Sequence, residues 1–289
     1  MSESITALPA RRAAPWSRTA RKVFMKVLFY LSLVAISIPV LFVFYWMVLT
    51  SFKDGTQSTA FPPLFFFQAT LKNYQDVLVK SPMLTFIFNS LVVALGATGV
   101  GLLLGLPAAY SVAKFNQGKL AIVVLIARMA PGVSYLIPWF ILFSRLGLVD
   151  TYAALILTHL ILTLPMTMWI MIPYFEDLPH EIEEAALIDG CTWYGIFWRV
   201  AVPLTVPGIV ASAILSIIFS WNNFAFALIL GGDRTRTVPV AVFSFMTFEG
   251  VNWGGVAAAA TLICVPVILL ALVIQRYLVA GLTLGSIKG

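Results

Sequence analysis

The sequence predicts an all-α integral membrane protein with six transmembrane helices, on three observations. Of its 289 residues, 61% are hydrophobic and 10% are charged, a balance far from that of an ordinary soluble domain. The apolar residues gather in runs of about 20 or more, each long enough to cross about 30 Å of hydrocarbon. Lysine and arginine are shared unequally between the segments that join those runs, as topology demands.

Residues 1–23 form a polar, basic tail with Pro9 and Pro15. Arg11, Arg12, Arg18, Arg21, Lys22 and Lys26 stand at the edge of the first run, 24–50, and read as a cytoplasmic anchor. That run is too long for a signal-peptide core and no small-x-small cleavage site follows, so it is expected to stay as a span. An external loop, 51–85, carries Pro62, Pro63, Phe65, Phe66, Phe67 and Tyr74. The other five runs, 86–113, 120–143, 153–173, 204–230 and 256–279, make a core over 86–279, and a short tail, 280–289, ends the chain. With both termini inside, the inner segments hold eleven Lys and Arg residues and the outer ones six: Lys53, Lys72, Lys80, Arg145, Arg234 and Arg236. This favours a cytoplasmic position for both ends. The net charge of +6 then belongs to topology, and no nucleic-acid partner is needed. Cys191 and Cys264 give no disulfide framework.

The segment 176–205 lies between the fourth and fifth runs and collects acids. Pro179 biases Leu178 away from the α region and suits a first helical position. Glu181, Glu183 and Glu184 then fall where negative charge complements the helix dipole. Gly190 is placed to end that helix left-handed. Thr192 is placed to cap a second helix from Trp193 to Val202, closed by Pro203 and Pro207. Ala185 and Ala186, small and next to Glu184, let another surface approach the backbone closely.

None of the twelve Asp and Glu residues falls inside an apolar run, which weighs against an ion-coupled transporter. Arg128 in the third run is the charge at membrane depth, and it faces an aqueous cavity, backbone carbonyls or a partner chain. Tyr135 and Trp139 flank Pro138 there, with core packing as the default. Asn222 and Asn223 sit beside Trp221 and Phe224 in the fifth run. Neutral amides next to aromatic faces suit an uncharged polyhydroxylated solute, and interhelical hydrogen bonding explains them equally. Arg128, Tyr135, Asn222 and Asn223 are the candidates for a translocation path. His159 in the fourth run reads as a packing residue. The glycines at 96, 99, 101 and 105 are followed by no Gly-Lys-Ser/Thr, so they make no phosphate loop. Small residues at Ala97, Gly101 and Gly105 suit close helix packing instead. With only His159 and His180, and no nucleophile–base set, the chain is expected to be no enzyme and to bind no cofactor or metal.

The spacing Glu184-Ala185-Ala186, three residues, Gly190, nine residues, Val200-Ala201-Val202-Pro203 resembles the EAA loop of the membrane subunits of binding-protein-dependent ABC importers. Leu146 to Thr151, Ser220 to Phe224, Arg128 to Pro131 and the ending Gly281 to Gly289 look like the carbohydrate, maltose-type branch of these permeases. Asn223 departs from the branch, where an acid is common. The resemblance covers about residue 24 onward and implies the type I importer permease fold with cytoplasmic coupling helices. It implies that Glu183, Glu184, Ala185, Ala186, Asp189 and Gly190 dock in a cleft of an ATPase subunit. Two such subunits, which bind ATP and Mg, a homologous second permease subunit and an external solute-binding protein are the implied partners, beside membrane lipid. It also implies a bacterial inner (plasma) membrane location, and a tail from Gly285 to Gly289 that reaches between the ATPase subunits. The outer segments 51–85 and 231–255, the latter with Glu249, Asn252 and Trp253, are ordinary surface loops with aromatics at the membrane interface or, as the resemblance implies, the contacts for the binding protein. The implied cargo is a sugar, oligosaccharide or polyol; an amino acid, peptide or phosphate compound is the alternative, because the docking loop is shared across substrates.

Overall fold

The structure is a computed structural model that describes residues 18–129, 132–247 and 250–284. The start of the basic tail, Glu249 and the ending Gly285 to Gly289 lie outside the described residues. The described chain is mostly helical and divides into two units, one up to Val48 and one from Leu49 onward. The first unit is the body of α1 (Arg18–Ser51), which carries Pro39 and is long and apolar enough to cross a membrane.

The second unit is built on α2 (Met83–Lys114), α5 (Tyr152–Glu176), α8 (Val206–Trp221) and α10 (Trp253–Leu284). α2 packs along α5, and α8 packs against both. The small residues expected to allow close approach do so. A Cβ on Gly101 would lie 2.7 Å from Thr163 Oγ1, and one on Gly105 2.9 Å from Thr167 Cγ2. Thr163 donates to the Ala97 carbonyl at 3.0 Å, adding a polar tie between the two helices. Gly208 on α8 leaves the same kind of room for the Tyr174 ring, 2.7 Å from where its Cβ would be.

Among the described residues, four helices are each long and apolar enough to span, and a bent pair makes a fifth if counted as one. The third run expected at 120–143 is two pieces, α3 (Gly118–Met129) and α4 (Leu136–Arg145), with a 3-10 turn at Gly132–Tyr135 before α4. Among the described residues the interruption is that 3-10 turn; Pro131 lies outside them. The fifth run, expected unbroken over 204–230, is likewise two pieces, α8 and α9 (Ala225–Leu230). Its break coincides with Asn222 and Asn223. Asn222 Nδ2 donates to the Ile218 carbonyl at 2.8 Å, and Asn223 Oδ1 accepts from the Phe226 amide at 3.2 Å. Asn223 satisfies an amide that the start of α9 frees, whereas Asn222 adds a second donor to a carbonyl that already accepts from its own backbone amide.

The segment 231–255 contains a short turn of helix at Val238–Ala241 and an antiparallel pairing of β1 (Met246–Thr247) with β2 (Gly250–Val251). In the loop after α1, Asn73 Nδ2 donates to the carbonyls of Ser51 at 2.9 Å and Lys53 at 2.6 Å. Gly254, at the start of α10, leaves room for that amide, whose Nδ2 would lie 2.5 Å from a Cβ there.

The substitution Gly105→Val tests the α2–α5 contact. Its side chain must displace Thr167, an overpacking cost of about 1–3 kcal/mol, and the thermal midpoint in detergent should fall. An unchanged midpoint would show that the helices are not this close.

Candidate functional site

Two clusters stand out at the two ends of the second unit. The first is the segment between α5 and α8. Pro179, φ −60° and ψ 124°, is the residue just outside α6 (His180–Ile188), one position earlier than its expected first helical turn. Glu181 and Glu183 fall in the first turn, where the exposed N–H groups favour anions. α6 ends as Gly190 predicts. Gly190 has φ +84°, its amide donates to the Leu187 carbonyl at 3.0 Å, and the Cys191 amide donates to Ala186 at 2.9 Å. This is a Schellman closure, which a residue without a Cβ adopts at least cost.

Thr192 Oγ1 then accepts from the Gly195 amide at 3.2 Å and caps α7 (Trp193–Ile196). The helical path continues from there through a π turn at Phe197–Ala201 to Leu204. Pro203 therefore does not close this helix. The stop is Thr205, where the chain bends by 79° into α8, and Pro207 sits in the first turn of α8. Phe197 and Ala201 pack with Tyr110, Met168, Met171 and Phe175 in an apolar cluster that seats the bihelical knob on the ends of α2 and α5.

The expected docking residues do not share one face. Glu184, Ala185, Asp189 and Gly190 are exposed, and Ala186 is half-buried. Ile188 is 86% exposed and Tyr194 75% exposed, an unusual apolar display for a surface turn. Glu183 is the correction. It is only 3% exposed and is turned inward, accepting from Tyr110 Oη at 2.7 Å and pairing with Lys114 Nζ. As placed, it is covered by its own chain and presents nothing to a docking partner.

The second cluster is a clasp at the opposite end, which sequence reasoning did not single out. In the sequence Leu146 to Thr151 stands out only as part of a motif. Gly147, φ +65°, closes α4, with the Leu148 amide donating back to the Phe143 carbonyl at 2.8 Å. Thr151 Oγ1 accepts from the Ala154 amide at 3.3 Å and caps α5. Between them Asp150 takes the left-handed conformation, φ +59°, which Asp tolerates better than most residues. Its Oδ1 accepts from the Gly232 amide at 2.9 Å, the Thr235 amide at 2.9 Å and the Thr235 hydroxyl at 2.8 Å. Its Oδ2 accepts from the Arg234 amide at 3.2 Å. Asn89 of α2 adds donations to the carbonyls of Arg234 at 3.0 Å and Arg236 at 2.9 Å, and is itself oriented by Tyr152 Oη at 2.6 Å. Partial burial pushes the Asp150 carboxyl up, but the Thr235 hydroxyl and the amides of Arg234, Thr235 and Gly232 outweigh it and hold the carboxyl below its ordinary range. The 231–237 loop is thus pinned to the starts of α2 and α5.

The remaining candidates are scattered. The Arg128 backbone belongs to α3, and its side chain lies outside the described residues. Tyr135 is half-buried just before α4, beside the cluster of Phe143, Leu155, Phe226 and Leu230. Asn222 is exposed at the break after α8 and Asn223 half-exposed. α9, which follows that break, packs on α4. His159 is buried, with Nδ1 2.7 Å from Ser220 Oγ and its ring 6.4 Å from that of Phe226, as a packing residue would be. Asn252 Oδ1 accepts from the Gly255 amide at 3.0 Å at the start of α10, and Trp253 beside it is exposed.

Asp150→Asn should weaken the clasp, because an amide nitrogen faces backbone N–H groups that need an acceptor, at a cost of about 1–3 kcal/mol. A carboxyl whose folded pKa is lowered contributes stability above its unfolded value, lost as pH falls through the folded one. The gap in thermal midpoint between wild type and variant should therefore be full at neutral pH and close under acid. A gap that persists at a pH well below the carboxylate range would contradict the assignment.

Residues 101–284 match the family described as the binding-protein-dependent transport system inner membrane component. The chain is 37% identical over 274 residues to the probable ABC transporter permease protein y4oR of Sinorhizobium fredii, covering 94% of this chain and 98% of the relative. It is 34% identical over 276 residues to the trehalose/maltose transport system permease protein MalG of Thermococcus litoralis, covering 93% and 99%. Its fold is similar to that of a chain in a crystal structure of a bacterial ABC transporter involved in import of the acidic polysaccharide alginate, with a TM-score of 0.75 and 21% identity, covering 92% of this chain and 99% of that one. With most of its helical core matched and its relatives covered almost end to end, this multi-pass membrane protein belongs to the family of binding-protein-dependent ABC transporter permeases.

Proposed function

We propose that this chain is one half of the translocation path of an ATP-driven importer for a sugar, oligosaccharide or polyol, with six spans and both termini in the cytoplasm. The observation that carries the mechanism is the knob of α6 and α7. It projects a bare helix surface, Glu184, Ala185, Ile188 and Tyr194, from the end of the unit that holds the acidic segment. Two separate ATPase subunits, which bind ATP and Mg, supply the energy. One of them takes this knob into its cleft, with small side chains allowing close approach and the Glu184 carboxylate giving direction. A homologous second permease subunit supplies the other half of the path, and an external binding protein delivers cargo to the outer segments, including Asn252 and Trp253. The chain is a bistable element whose equilibrium the nucleotide biases.

The third and fifth spans are read as broken rather than absent. Irregular backbone at membrane depth is tolerated where it lines a cavity, and interrupted helices supply polar backbone to transported solutes. Tyr135 and Asn222 stand at those breaks and, with Asn223 and Arg128, are the proposed contacts for an uncharged cargo. The carbohydrate assignment draws support from the relative named for trehalose and maltose and from the motifs at Leu146 to Thr151 and Ser220 to Phe224. An amino-acid, peptide or phosphate cargo is the competing reading.

Glu184→Lys inverts charge at the docking surface. It should leave the subunit in the membrane and abolish uptake, with loss of ATP turnover stimulated by the loaded binding protein. Normal stimulated turnover in that variant would contradict the docking role. Asn222→Ala should change uptake; unaltered uptake would leave the amide as a cap of the helix break. The solute class is read by which sugars raise the melting temperature of the co-purifying binding protein, and a shift with amino acids or phosphate alone would favour the competing cargo.

A further inference from the structure

We infer that Glu183 is a positioning residue that joins the α6–α7 knob to the last turn of α2, so that the two move as one body and a docked motor acts on α2 directly. This rests on the docking role proposed for α6. Glu181 and Glu184, one turn of helix around it, are exposed, whereas Glu183 is buried. Both its oxygens are engaged by one helix: Oε1 by Tyr110 Oη at 2.7 Å and Oε2 by Lys114 Nζ. Tyr110 and Lys114 are four residues apart on α2 and so share a face. Lys114 Nζ also lies 5.3 Å from the centre of the Trp193 ring, and Phe115 meets that ring edge-on at 5.7 Å. Both limbs of the knob are therefore held by the same turn of α2. His180 Nδ1, exposed at the rim, is 3.9 Å from Glu183 Oε2 and is the remaining titratable group near the carboxylate among the described residues.

The physical case is directional. Apolar contacts such as Phe197 on Tyr110 resist separation but allow sliding. A buried carboxylate held by a phenol and an ammonium has one geometry, and breaking it leaves charge unpaired in a dry site. The link joins residues 73 and 69 apart in sequence, bypassing α3 to α5. The other ties of the knob are the apolar seat under Phe197 and Ala201, the Trp193 contacts and the chain neighbours at Asp177 to Pro179 and the Thr205 bend.

The test uses the complete assembly in liposomes, with its ATPase subunits and the binding protein purified with its own endogenous cargo. Retention of the ATPase subunits on the membrane, and ATP turnover with and without loaded binding protein, are read for Glu183→Gln, Lys114→Met, Tyr110→Phe and the reversed pair Glu183→Lys with Lys114→Glu. The single variants at Glu183 and Lys114 should hold the ATPase within about twofold of wild type while stimulation by the binding protein falls roughly tenfold, an ordinary coupling magnitude. Tyr110→Phe should act in the same direction but less, and the reversed pair should restore most of the stimulation. Should Glu183→Gln fail to reach the membrane, Lys114→Met and Tyr110→Phe carry the test, because they leave the acid in place. Shedding of the ATPase by the Glu183 variant, wild-type stimulation in the single variants, or failure of the reversed pair to rescue would each overturn the inference. Glu184→Lys, run beside them, tests the docking role separately: if it alone keeps both ATPase and stimulation, that role fails whatever Glu183 does.

Discussion

The close contact of α2 with α5 is the constraint on which the rest of the structure depends. Lipid gives helices no hydrophobic reason to associate, so contact must come from backbone approach and shared polar groups. Gly101 and Gly105 provide the approach and Thr163 the polar tie. Once α2 and α5 are locked in parallel, their N-terminal parts bring Asn89 and Tyr152 together to hold the 231–237 loop. Their C-terminal ends bring Tyr110 and Phe175 together to seat the knob. A pair of close-packed helices thus connects the clasp at one end with the knob at the other.

The two ends are built from different chemistry. The clasp is mainly a carboxylate in a ring of backbone amides, with Asp150 fixing a loop that has little apolar content of its own. The seat of the knob is apolar, Leu106, Met171, Phe175 and Phe197, with one charged link buried beside it. Loops held by amides keep a fixed shape, which suits a surface that receives a partner. A seat held by packing plus one directional link suits an element that must carry force.

Local signals in the sequence were the reliable ones. The helix–turn–helix of the knob follows from Pro179, Gly190 and Thr192, each acting within a few residues; Gly190 and Thr192 act as expected, and Pro179 stands one position outside the helix. The glycines of α2 were legible as packing residues because a four-residue spacing marks one face. What depended on distant partners was not legible. Glu183 and Glu184 are adjacent and chemically identical, pointing about 100° apart on a helix. Which of them turns inward was decided by Tyr110 and Lys114, some seventy residues earlier. Pro203 looked like a stop, yet the helical path passes through it, because a π turn just before it accommodates the missing donor. Asn222 and Asn223 were visible as polar groups at membrane depth, but not as caps of a break, since an apolar run carries no sign of where it bends. Asp150 was visible only as a motif letter; its partners begin at Gly232, in a loop with no pattern to pair it with.

If the knob and the last turn of α2 form one body driven by nucleotide, as proposed, the distance between them stays fixed through the cycle. Spin labels at Leu187 and Phe115, read by pulsed electron resonance in the reconstituted assembly with and without ATP, test it most directly. The account predicts an intrasubunit distance that stays fixed across the cycle while the Leu187 distance to the opposing permease subunit changes. An intrasubunit distance that shifts as much as the intersubunit one would contradict it.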